Sequence, residues 1–260
     1  MFQKAIDILK TRWPEVVMVV VLQASMMLLL EEIVSDSEKM DSNAALMPFW
    51  ASFLLGIGVA LCAVLWQMLY LGFLKTAAVF GSQPQQPVEL LRSGRPYFWR
   101  ILFFQILIGI ALMFLNMAIV AFLGYLIWQG RELNQLPQWF VQTGALIGIL
   151  IVLKPMLLVP ARMIVYDDTT FQAIFQMRYY SLKGIDRIFK VTFAGFVMIV
   201  LSTLPIAFFE QGSRAYYVLS GLHHTIFSFI LLTLTLIAVL WIQQQFDAEC
   251  IKTSEEDSYA

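Results

Sequence analysis

The sequence predicts an all-α membrane protein: six transmembrane helices with short cytoplasmic amphipathic helices, arranged as three helix-hairpin units. Three observations lead there: an apolar, charge-poor composition, six apolar stretches, and basic residues that alternate from loop to loop. Of 260 residues, 60% are hydrophobic and 13% charged, against roughly 25% charged in an average soluble domain. A soluble globule of this composition would expose large apolar patches and aggregate. A bilayer accepts those side chains on the outside.

A helix crossing a hydrocarbon core of about 30 Å needs about 20 mostly apolar residues. Ser42–Leu74, Ile101–Gly130, Leu133–Leu153, Val191–Phe209 and Ala215–Phe246 are free of Asp, Glu, Lys and Arg and long enough. Val16–Leu30 is shorter. It becomes long enough if Pro14 opens the helix, where its missing N–H is harmless, with Glu15 and Glu31 facing the two interfaces. Residues 1–246 thus read as one six-span domain and 247–260 as a polar cytoplasmic tail. The N-terminal stretch lacks the small-residue cleavage pattern of a signal peptide.

Loop charges give an independent check. Lys and Arg on alternate sides total 13 and 3, with Lys154 left inside the fourth span. Basic loops stay in the cytoplasm, so both termini are expected there. The acidic residues Glu31, Glu32, Asp36, Glu38 and Asp41 fall on the opposite face as a solvated rim.

A short segment of apolar and basic character precedes each pair of spans. In the first, Phe2, Ala5, Ile6, Leu9 and Trp13 recur at helical spacing, with Lys4, Asp7, Lys10 and Thr11 opposite. The second starts at Pro87 after the polar loop Gly81–Gln86, and Ser93-Gly94 suits its stop. The third starts with Thr169-Thr170-Phe171-Gln172, of capping-box form, and Gly184 suits its stop. Starts at Phe2, Pro87 and Phe171 lie 85 and 84 residues apart, and Trp66-Gln67 is echoed by Trp241-Ile242-Gln243. Such helices lie in the headgroup plane with their cations near anionic lipid. Trp13, Arg95, Trp99, Arg178 and Lys183 are the candidate interfacial anchors.

From Val159-Pro160-Ala161-Arg162 through the acidic turn Asp167-Asp168 to Leu182-Lys183-Gly184, the chain resembles the YciC-like bacterial inner-membrane proteins. It equally resembles the membrane domain fused to some glycerophosphodiester phosphodiesterases. Gly72-Phe73-Leu74 through Arg100 resembles the matching earlier part of that family, whereas Lys154-Pro155 departs from its apolar run. The resemblance implies a multi-pass protein of the bacterial plasma membrane with no catalytic residues of its own.

Lys154 is the candidate anion or lipid contact, together with Arg162 about eight residues further on. A mid-bilayer lysine costs roughly 2.5–3.5 kcal/mol and normally faces the bundle interior or water. Pro155 and Pro160 flank it and free backbone carbonyls that could receive the ammonium. Snorkelling with structural pairing is the competing reading, and for Arg162, Asp167 and Asp168 it is interfacial pairing and capping. His223-His224 with Glu210 invite a zinc hypothesis, but adjacent histidines do not align on one helical face as an i, i+4 pair does. Asn116, Gln67 and Gln105 read as interhelical hydrogen-bonding groups. Gly56-Ile57-Gly58 and Gly144-x-x-x-Gly148 read as packing sites. Cys62 and Cys250 read as free thiols.

No nucleophile elbow, P-loop, dinucleotide fingerprint or HExxH occurs. The expectation is therefore a non-enzymatic integral membrane protein with an envelope-organising or scaffold role. The alternative is a transporter or lipid-translocating protein using Lys154 as its anionic headgroup or solute contact. A third reading, a lipid-headgroup enzyme, would rest on His223, His224 and Glu210. Expected partners are membrane lipids, other membrane proteins or a second copy of the chain, with no cofactor and no nucleic acid.

Overall fold

A computed structural model describes residues 1–40, 49–128, 155–176, 182–209 and 213–258. Every regular element among them is helical. In chain order these are α1 (Phe2–Thr11), α2 (Trp13–Met40), α3 (Phe49–Phe80) and α4 (Pro87–Trp128), then α5 (Pro155–Tyr166). α6 (Thr170–Gln176), α7 (Leu182–Thr203) and α8 (Arg214–Ser258) complete the set, with a 3-10 turn, Ile206–Phe208, after α7.

Four helices are long and apolar enough to cross a membrane, over Trp13–Glu31, Gly56–Phe80, Pro87–Ile119 and Arg214–Gln245. They coincide with the first, second, third and sixth predicted spans. The predicted fourth span, 133–153, lies outside the described residues. The fifth ends earlier than expected. α7, which begins at Leu182, ends at Thr203 instead of running on to Phe209, because Pro205 cannot donate to the ladder and the chain turns into the 3-10 segment.

α1 and α2 meet at Arg12, where the backbone leaves helical geometry. The cause is Pro14, whose missing N–H prevents α1 from continuing. Ala5, Ile8 and Leu9 of α1 are buried, while Phe2, Ile6 and Trp13 remain exposed. The apolar residues of this segment thus divide between a face on the protein and a face toward the surroundings. α1 and α2 pack on α8, which also touches α3 and α7. The apolar window of α8 is 61% enclosed and that of α4 only 11%. α8 is therefore the hub of the described helices, and α4 presents Phe103, Ile106, Ile110, Met113, Phe114 and Met117 outward, as lipid contact requires.

α3 and α4 form an antiparallel pair joined at Gly81–Gln86. Gly81 takes φ +62, and its N–H bonds Ala77 O at 3.1 Å, closing α3 in the manner of a left-handed cap. Pro87 occupies the first helical position of α4, as predicted. Ser93-Gly94, however, does not stop the helix, which runs unbroken to Trp128. A Cβ on Gly94 would lie 1.9 Å from Met68 O, and one on Gly72 would lie 1.8 Å from Leu90 O. Gly94 is a close-approach residue inside a helix, not its terminus. By contrast, a Cβ at Gly56 or Gly58 would meet nothing within 4 Å, so the packing role expected there is not found, and 144–148 lie outside the described residues.

The Thr169-x-x-Gln172 box forms as predicted. Thr169 N–H donates to Gln172 Oε1 at 3.0 Å, Gln172 N–H reaches Thr169 Oγ1 at 3.5 Å, and α6 begins at Thr170. Gly184 is not a stop. It lies within α7. α8 continues to Ser258, so the polar segment predicted as a tail extends as helix.

Substituting Gly94→Ala is expected to destabilise the protein by about 2 kcal/mol or more, since two backbones must separate. Gly58→Ala, with open space around it, should be neutral or stabilising by up to about 1 kcal/mol. Thermal unfolding of both variants in detergent tests this, and equal Tm changes would refute the close-approach assignment.

Candidate functional site

Polar groups inside the described helices gather in three layers. The layer at the basic end begins with Arg12, fully buried although it breaks the helix. Its guanidinium pairs with Glu15, donates to Thr76 Oγ1 at 2.8 Å, and lies 4.6 Å from the centroid of the Phe73 ring. Glu15 in turn accepts from the Gln85 N–H at 2.7 Å. Glu15 was expected to face the interface; instead, this pair pins the α1–α2 joint to α3 and to the α3–α4 turn. Two charges are removed from water there, which costs several kcal/mol per ion unless nearly every proton and lone pair finds a partner. One does not: Arg12 Nη1 has no hydrogen bond among the described residues.

The same layer straps α5 and α6 onto α3 and α4. Lys75 Nζ donates to Ile164 O at 2.8 Å and sits over Tyr97. Arg100 pairs with Asp167 at 2.7 Å and also donates to its carbonyl at 3.0 Å. Asp167 adopts φ +57, a left-handed turn that Asp tolerates better than bulkier residues. Arg162 is buried, pairs with Asp168, donates to Gln176 and stacks 4.2 Å from the Tyr166 centroid. The two adjacent aspartates point to different arginines. The predicted contact Arg162 is thus engaged by groups of its own chain.

Lys154 and Arg178 lie outside the described residues, as does the side chain of Lys183. Trp13, Arg95 and Trp99 are exposed.

At the acidic end a second layer joins α2 to α8. Glu31 accepts from Tyr216, from Ser220 Oγ at 2.5 Å and from His224 Nε2 at 3.2 Å. His223 meets Ser202 of α7 at 2.7 Å. The two histidines therefore take separate partners, and His224 turns to Glu31 on another helix; Glu210 lies outside the described residues. Sequence spacing could not reveal this, because Glu31 and His224 are 193 residues apart.

The third layer lies between these ends. Gln67 Nε2 donates to Gln105 Oε1 at 3.1 Å, the interhelical use predicted for both, and Tyr70 OH donates to Thr235 Oγ1 at 2.7 Å. Asn116 Oδ1, predicted to act likewise, has no partner among the described residues. Around the two bonded pairs is a cavity of about 320 Å³ between α3, α4, α5 and α8, at the lower end of the ~300–1,000 Å³ of small-molecule sites. Phe104, Ile108, Met156 and Leu231 supply apolar walls beside the Trp66 ring, whose indole N–H has no partner among the described residues, and the described lining contains no Asp, Glu, Lys, Arg or His. Gln105 and Gly109, on its α4 side, are exposed. Sequence reasoning found Gln67 and Gln105 but not the cavity, which depends on how four helices converge.

Four membrane-length apolar helices, a lipid-exposed α4 and polar groups paired across helices define an α-helical membrane protein. No protein-family model, curated protein or solved structure matches the chain.

Removing one partner of the Arg12–Glu15 pair leaves a buried charge alone, at a cost of about 3–5 kcal/mol. Arg12→Met is expected to lower Tm sharply, and Arg12→Met combined with Glu15→Gln to recover much of the loss. Unfolding of the single and double variants measures the coupling; additive losses would show that the two residues act independently.

Proposed function

We propose that the chain is a non-enzymatic integral protein of the bacterial plasma membrane, six-spanning with both termini cytoplasmic, that organises the membrane or envelope around it. One observation carries this reading. Arg12, Lys75, Arg100 and Arg162 at the basic end bond within the chain, while α1 keeps Phe2, Ile6, Lys4 and Lys10 exposed and Trp13 is exposed at the start of α2. An apolar edge flanked by lysines is the equipment of a helix in the headgroup plane. The charge distribution supports the orientation, since basic loops remain in the cytoplasm. Arg162 to Gln172, with its acidic turn and capping box, supports a place beside the YciC-like inner-membrane proteins. The three-unit layout rests on the even spacing of the segments starting at Phe2, Pro87 and Phe171.

The second reading, a lipid-translocating protein, is favoured by the cavity, whose Met156 wall stands two residues beyond Lys154. There Lys154 would receive an anionic headgroup on its way between leaflets.

Each surface lysine contributes about 1 kcal/mol of attraction to anionic lipid, so Lys4→Gln with Lys10→Gln should weaken anionic-lipid enrichment by up to about thirtyfold. Energy transfer from the protein to labelled phosphatidylglycerol in vesicles reads this directly, and unchanged enrichment would remove the surface-helix role. In the same vesicles, flip-flop of a labelled phospholipid should be equal for the wild type and Lys154→Met. A flip-flop rate that falls to the protein-free level on Lys154→Met would replace the organising role with translocation.

A further inference from the structure

We infer that the cavity between α3, α4, α5 and α8 binds the hydroxyl end of an uncharged lipid alcohol, whose chain runs out past α4 into the bilayer. This goes beyond the organising role, which rests on α1. Gln67 and Gln105 pair across α3 and α4 at the cavity wall. Their mutual bond uses the Gln67 amino group and the Gln105 carbonyl. The Gln67 carbonyl and the Gln105 amino group have no bond among the described residues. Exchanging O and N in both amides leaves the same offer, one acceptor beside one donor. A lone hydroxyl donates and accepts at once and fits both.

Depth and charge narrow the class further. Gln105 stands five residues beyond the Arg100–Asp167 pair, about 7.5 Å along the helix. Gln67 stands eight residues, about 12 Å, before Lys75. An unpaired amide at that depth lacks water and gains from any partner that arrives through the lipid. The described lining has no Asp, Glu, Lys, Arg or His, so what it offers suits an uncharged polar group. A ketone or ester offers acceptors only and leaves the Gln67 carbonyl unmet. Gln105 and Gly109, exposed on α4, mark the side on which the chain leaves.

Two sources share this chemistry, a diacylglycerol and a long-chain polyprenol. Purified protein in detergent is titrated with dioleoylglycerol, its methyl ether and a polyprenol, and binding is read by native mass spectrometry. At least one alcohol should bind about tenfold more tightly than the ether, the worth of about one hydrogen bond. The alcohol that binds more tightly identifies the source. Gln67→Leu combined with Gln105→Leu, which removes both amide carbonyls that the hydroxyl could donate to, should remove the preference for the alcohol over the ether. Gly109→Phe should weaken binding at least tenfold: Gly109 lines the cavity on its exposed side, and a Cβ there meets nothing within 4 Å, so a ring has room at the mouth through which the chain leaves. Equal binding of alcohol and ether to the wild type overturns the inference without recourse to any variant. So does undiminished binding by Gly109→Phe. Because α1 lies outside the cavity, loss of lipid-alcohol binding and loss of anionic-lipid enrichment are separately readable.

Discussion

No side chain separates α3 from α4 where they cross. Gly94 lies against the Met68 carbonyl and Gly72 against that of Leu90, so the two backbones approach as closely as atoms allow. Lipid tails are as apolar as leucine and provide little force to drive helices together; close backbone contact supplies dispersion and weak polar attraction in its place. This contact fixes the register of the pair. With it set, Gln67 meets Gln105, Lys75 stacks on Tyr97, and the Gly81 turn brings Gln85 to the carboxylate of Glu15. The cavity exists because α3 and α4 are locked on one side of it, leaving α5 and α8 to wall the other.

The polar layers follow one rule of low-dielectric interiors: a group without water must find a partner in the fold. At the basic end guanidinium groups meet carboxylates, carbonyls and ring faces. At the acidic end a single carboxylate collects a phenol, a hydroxyl and an imidazole. Both layers tie helices distant in sequence, and both lie toward the ends, where bonds between charged groups cost least to assemble. Between them the polar groups of the described cavity lining are amides, hydroxyls and the Trp66 indole N–H, none of them charged.

Features set by local chemistry were legible in the sequence. Pro14 opens α2, Pro87 opens α4 and Thr169 with Gln172 caps α6, because each acts within one helical turn. The apolar stretches named four of the long helices for the same reason. Features set by contact were not legible. Ser93-Gly94 carries a stop signal that the crossing with α3 overrides, whereas Gly56 and Gly58, which look like a packing pair, stand in open space. Pro205 ended the fifth apolar helix early, within a run whose composition alone promised a full span. His223 and His224 drew attention to nearby Glu210, yet the carboxylate bonded to His224 is Glu31. Gln67 and Gln105 stood out as amides in apolar surroundings; their pairing could be anticipated, but the space beside them could not.

The buried joint at Arg12 also sets an order of assembly. Its partners Thr76 and Gln85 belong to the second hairpin arm and the turn that follows, and α1 rests on α8, made about 200 residues later. A ribosome therefore delivers the first helix long before its seat exists. Until α8 arrives, Ala5, Ile8 and Leu9 have no seat in the fold, so the first helix to be made is among the last to be packed.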